Sequence, residues 1–130
     1  MLYSVLIYDS EVMLEKMTDE EHESRLGQHL EFQDSLRESH RLGAVVRLKK
    51  SASAVTLQSG SNAGLILDGP FAETKEQLIG FYLVEGESLE AVAEVARKLP
   101  LQSGSIEIRP IDFFEGANFK EGLPIVFKDA

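Results

Sequence analysis

Gln77-Leu78-Ile79-Gly80-Phe81-Tyr82-Leu83-Val84 is the stretch on which the fold turns. Read with a period of two, Ile79, Phe81 and Leu83 point one way, and Leu78, Tyr82 and Val84 point the other. Both sets are apolar. A strand with one face in water would alternate, so both faces of this one are expected to be covered. The run Leu2-Tyr3-Ser4-Val5-Leu6-Ile7-Tyr8 has the same character, with apolar groups at odd and even positions.

Working outward, Thr18-Asp19-Glu20-Glu21 has the spacing of a capping box. The helix it opens is expected to run to about His40, with Gly43 as its stop. Leu26, Leu30, Phe32 and Leu36 are read as its apolar side, with His22, His29 and His40 inside the same arc. Ala44 to Leu48 and Ser53 to Leu57 are short β-prone runs. The turn set Ser59-Gly60-Ser61-Asn62 separates the latter from Ala63 to Leu67, which predicts a hairpin. Ser88 is placed to cap a second helix whose stripe is Leu89, Val92, Ala93, Ala96 and Leu99, ended by Pro100. Ile106 to Pro110 forms the last core strand.

The order β-α-β-hairpin-β-α-β predicts an α+β, ferredoxin-like split βαβ arrangement with an inserted β-hairpin. Both helices would lie on one face of an antiparallel sheet. The other face, also apolar, then needs a cover, and a second copy of the same sheet is the economical one. The expectation is a homodimer. One domain over residues 1–112 is expected, followed by an irregular tail over 113–130 that packs on the domain or on the dimer partner.

Bulk properties exclude several classes. The 130 residues contain no cysteine, which removes disulfides, thiolate metal sites and a cysteine nucleophile. A net charge of −9 repels phosphate backbones, and Arg47-Leu48-Lys49-Lys50 is too short a basic run to reverse that, so no nucleic acid is expected. No apolar run reaches the roughly 20 residues of a membrane helix. With no secretion signal in the opening strand, the cytoplasm is the default expectation. His22, His29 and His40 are spaced by seven and eleven residues, roughly 10 and 16 Å of helix rise, too far apart for one metal. No metal and no cofactor are expected.

Asp68-Gly69-Pro70-Phe71-Ala72-Glu73-Thr74-Lys75-Glu76, continuing through the strand to Val84, closely resembles the signature of the DGPF branch of YCII-related proteins. Leu6-Ile7-Tyr8 and Ser105-Ile106-Glu107-Ile108-Arg109-Pro110 resemble the same family in the expected order. The resemblance covers roughly residues 1–110. It implies a dimeric α+β barrel and a family largely without an established reaction, some of whose members are encoded beside extracytoplasmic-function sigma factors. His29-Leu30 resembles a histidine-leucine pair of the wider group, whose histidine has been proposed to pair with an aspartate.

Two functional readings follow. In the first, a small-molecule enzyme uses His29 as acid or base with Asp68 orienting it, so the two side chains are expected within hydrogen-bond reach or one water apart. Phe71 would turn inward as an anchor. Glu73 and Lys75 would face a cleft bounded by the first helix, while Lys75 and Arg109 held a small polar or anionic metabolite. Tyr82 would either offer its phenol to that cleft or fill the dimer core. In the second reading the protein is a non-catalytic module binding a metabolite or a regulatory partner such as a sigma factor. Each residue also has a plain structural account: turn chemistry for Asp68-Gly69-Pro70, surface charge for Glu73 and Lys75, an edge ion pair for Glu107 with Arg109, and a packing role for His29.

Overall fold

The computed structural model describes residues 1–60, 64 and 66–116. Its elements are β1 (Leu2–Asp9), α1 (Glu11–Glu15), α2 (Asp19–Glu38), β2 (Leu42–Arg47), β3 (Val55–Leu57), β4 (Ile66–Asp68), β5 (Gln77–Glu85), α3 (Leu89–Ala96) and β6 (Ser105–Pro110). Four strands form an antiparallel sheet in the order β2-β5-β1-β6. This is the ferredoxin-like α+β arrangement, with β3 and β4 set apart as a two-stranded sheet of their own. The inserted hairpin is therefore present. Among the described residues, no helix is long and apolar enough to cross a membrane.

The core lies between the sheet and the helices. Tyr3, Val5 and Ile7 of β1 and Tyr82 and Val84 of β5 are buried against Phe32 and Leu36 of α2 and Val92 and Ala96 of α3, with Leu99 beyond the helix. The register pairs Val5 with Tyr82 and Tyr3 with Val84. The alternate residues Ser4 and Leu6 pair with Leu83 and Phe81 and are only half-buried. The two-faced apolar strands thus have one face covered by helices and one that no described helix covers.

Local chemistry accounts for the helix ends. The capping box of α2 is complete: the Glu21 N–H donates to Thr18 Oγ1 at 3.1 Å, and the Thr18 N–H donates to Glu21 Oε1 at 2.9 Å. Those bonds favour the Glu21 carboxylate and lower its pKa. Ser88 caps α3 by accepting from the Ala91 N–H. The sequence reading did not foresee α1, whose N-cap is Ser10.

The expected stop at Gly43 is corrected. Helix α2 ends at Glu38, and His40 takes the left-handed conformation with φ 59°. The Arg41 N–H donates to the Leu36 carbonyl and the His40 N–H to that of Arg37, which is the Schellman pattern with histidine where glycine is usual. Gly43 instead lies inside β2, close against Leu83. A left-handed histidine costs about 1–2 kcal/mol, part of which glycine returns as unfolded-chain entropy. His40→Gly should therefore stabilise the protein by about 0.5–1 kcal/mol, read as a raised urea midpoint at constant m-value.

The apolar arc of α2 is also corrected. Leu26 and Leu30 are exposed, whereas the sheet-facing row is Arg25, His29, Phe32 and Leu36, spaced 4, 3 and 4. His22 and His40 are exposed. The buried side of this helix is half polar, which is why counting leucines misplaced it.

Candidate functional site

The polar half of that row meets the sheet where β1 ends. Asp9 continues the inward alternation of Tyr3, Val5 and Ile7, so the fold carries its carboxylate inside, at 0 % exposure. Backbone amides receive it: Oδ1 accepts from the N–H groups of Ser10 at 2.8 Å and Ser103 at 3.0 Å, and Oδ2 from that of Gln102 at 2.9 Å. The Arg25 guanidinium stands 3.6 Å away and donates to the Pro100 carbonyl at 3.1 Å. Gly104 allows the approach, because a Cβ there would strike the Tyr8 carbonyl. Asp9 thereby fixes the loop ahead of β6 and holds Arg25 over the sheet.

One turn along α2 from Arg25, His29 lies on Tyr82. Their rings are 6.0 Å apart at 22°, and His29 Nδ1 is 2.7 Å from the Tyr82 hydroxyl. Gln33, one turn further, donates from Nε2 to the same hydroxyl at 3.1 Å. Arg25, His29 and Gln33 thus form a polar row at i, i+4 and i+8 above Tyr82, whose ring also packs on that of Phe32, 4.9 Å away.

Burial lowers the His29 pKa to about 4, reinforced by the charges of Arg25 and Arg47, so the imidazole is neutral at neutral pH. Burial raises the Tyr82 pKa, opposed by the Gln33 hydrogen bond and the Arg25 and Arg37 charges, so the phenol keeps its proton. Hydrogen-bond bookkeeping then selects a tautomer. With Gln33 filling one acceptor site of the hydroxyl, the phenolic proton is satisfied by the Nδ1 lone pair, which leaves the hydrogen on Nε2. Neutral His29 is therefore an N–H donor on the side away from Tyr82.

The other sequence candidates fall elsewhere. Asp68 is exposed on β4, paired with Val55, and makes no hydrogen bond or ion pair with His29. The direct contact that His29 makes is with Tyr82, while Asp68 sits on the β3–β4 hairpin, which forms a sheet of its own. Gly69 does supply the expected left-handed turn, at φ 91°. Phe71 is not an inward anchor: it is 83 % exposed. Glu73 and Lys75 are exposed too. Lys75 lines an open cleft of about 420 Å³ with Ser10, Thr74, Gln77 and Ser103, beside α1 and not under α2. Glu107 and Arg109 are exposed on β6 without an ion pair between them. Arg109 pairs with Ser4, on the sheet face turned away from His29, and so cannot reach the cluster. Among the described residues no group of acidic or histidine side chains could hold a metal ion. Of the tail, Phe113 and Phe114 are exposed, and residues 117–130 lie outside the described residues.

Asp9, Arg25, Gln33 and Arg47 were not anticipated as site residues. The signals were there: an acid in the inward phase of an apolar strand, and polar residues four apart on either side of His29.

A ferredoxin-like α+β domain with a neutral histidine resting on a buried tyrosine is thus the class that fold and site define. The family model of the YCII-related domain matches residues 1–115. An uncharacterized protein of Rhizobium meliloti (strain 1021) is similar, 38% identical over 118 residues, covering 88% of this chain and 95% of that protein. The chain belongs to the YCII-related family.

Proposed function

We propose that the protein acts on a small polar metabolite by proton-transfer chemistry centred on His29, with Tyr82 as the group that sets its tautomer. The observation that carries this reading is the 2.7 Å contact between His29 Nδ1 and the Tyr82 hydroxyl, in a setting that keeps the imidazole uncharged. A neutral imidazole with its hydrogen on Nε2 suits a substrate oxygen on which negative charge develops, giving up that proton in part or whole. Tyr82 and Gln33 hold the ring so that this N–H is aimed before the substrate arrives. Asp68 has no part in the reading.

The test is a thermal-shift screen of small metabolites on the wild type, His29→Gln and Tyr82→Phe, followed by mass spectrometry for turnover. The expected result is a compound class that raises the wild-type melting temperature and is consumed, with both effects lost in His29→Gln. Ligands that bind all three proteins equally, or none consumed, would overturn it.

A second reading, an interaction module within a homodimer, is favoured by a separate observation. Val55, Leu57 and Ile66 share one face of the hairpin and are exposed, as are Leu67 on its other face and Phe71 after it. Half-buried Leu6, Phe81 and Leu83 add an apolar surface on the helix-free sheet face. We propose that two copies pack through that face. Light scattering of wild type and Phe81→Asp is expected to give a dimer and a monomer respectively.

A further inference from the structure

We propose that Arg47 anchors a small carboxylate ligand and seats it against the His29 imidazole. The inference deepens the proton-transfer reading above and takes from it only the location of the site.

Arg47 is the last residue of β2 and pairs with Gly80 of β5, two positions from the Val45–Tyr82 pair. By the two-residue alternation it therefore belongs to the sheet face that carries Tyr82, the face under α2. Its neighbour in that row, Gly80, contributes no side chain. Arg47 is thus set beside the His29–Tyr82 contact, across from a glycine that lies tight against the β2 backbone at Val46 and Arg47.

The charged groups around His29 are unequally committed. Arg25, on α2, is held by Asp9 of β1 and by the Pro100 carbonyl. Tyr82 and Gln33 are spent on each other and on Nδ1. The Arg47 side chain is exposed and has no hydrogen bond and no ion pair among the described residues, while its charge is felt at His29. A guanidinium without a counter-charge attracts an anion, and its planar fork matches the two oxygens of a carboxylate. A single free fork suits one carboxylate better than a phosphate dianion, which calls for more donors. In a chain of net charge −9 this is a local positive focus that would select ligands the rest of the surface repels. A carboxylate held there would place the remainder of the molecule toward Nε2 of His29 and would favour the imidazolium that bare Arg47 disfavours.

The experiment follows the His29 imidazole by NMR across a pH titration, with oxalate as the probe and sodium chloride at equal ionic strength as the control. In the wild type, oxalate should raise the His29 pKa saturably by about half a unit or more. Arg47→Gln should weaken the apparent affinity for oxalate about tenfold or more. Arg47→Lys keeps the charge, loses the fork and should lie between, which covers any folding defect of the glutamine variant. Arg109→Gln, on the opposite sheet face, should behave as the wild type. Equal oxalate response in the wild type and Arg47→Gln, or none in the wild type, overturns the anchor. Either outcome leaves the His29 screen standing on its own result.

Discussion

Asp9→Ala is expected to destabilise the protein by about 3–5 kcal/mol, the range for removing one partner of a buried ion pair. The carboxylate is sealed from water and takes three backbone N–H groups besides facing Arg25. Alanine would leave the amides of Ser10, Gln102 and Ser103 without their acceptor and Arg25 without its counter-charge. Each such loss carries a desolvation penalty of about 1–3 kcal/mol, and the losses overlap because they share one site. Asp9→Asn should cost roughly half as much, since its carbonyl can still serve the two N–H groups at the Oδ1 position. Urea unfolding of the three proteins at constant m-value gives the comparison. A cost below about 1 kcal/mol for Asp9→Ala would mean that the amides find other acceptors and that Asp9 does not organise the loop.

Acidification from pH 7 to pH 4 is expected to remove about 2–3 kcal/mol of stability through His29 alone, after discounting for the solvent that reaches the ring. The folded-state pKa is about 4, against 6.5 for the free side chain. Between those values the unfolded chain binds a proton that the folded chain refuses, so lowering the pH favours unfolding. The contribution is fully present above pH 6.5 and is gone once the pH falls below about 4. In His29→Gln the stability difference between the two pH values should shrink by that same amount, the carboxylates contributing equally to both proteins. Parallel pH profiles for the wild type and His29→Gln would refute the buried neutral imidazole.

What the sequence revealed is uneven in a physically intelligible way. The two-faced apolar runs of β1 and β5 announced central strands, and the capping box at Thr18 and the cap at Ser88 announced helix starts, because each depends on neighbours within a few residues. The five-residue helix α1 has too little length for periodicity to register. His29 and Tyr82 were both singled out, but not their contact, since 53 residues separate them. The His29–Asp68 pairing was drawn from resemblance to other chains, and the direct partner of His29 is instead Tyr82, on a strand of the main sheet that the separate hairpin does not join. Asp9 escaped notice because two of its partners, Gln102 and Ser103, lie more than ninety residues along the chain and contribute only backbone. Polar residues that belong to the core are legible only when their partners are.

The placement of β1 in the sheet bears on how the protein emerges during synthesis. Of the described strands β1 leaves the ribosome first, yet its two neighbours are β5, starting at Gln77, and β6, starting at Ser105. At roughly 5–20 residues per second, the 68 residues from Asp9 to Gln77 keep that strand unpaired for roughly 3–14 s. Throughout that interval the nascent chain displays an apolar segment with two open edges, the kind of sequence that holdase chaperones bind. Helix α2, closed by its own capping box, can form during the wait, but it has no sheet to rest on until β5 arrives.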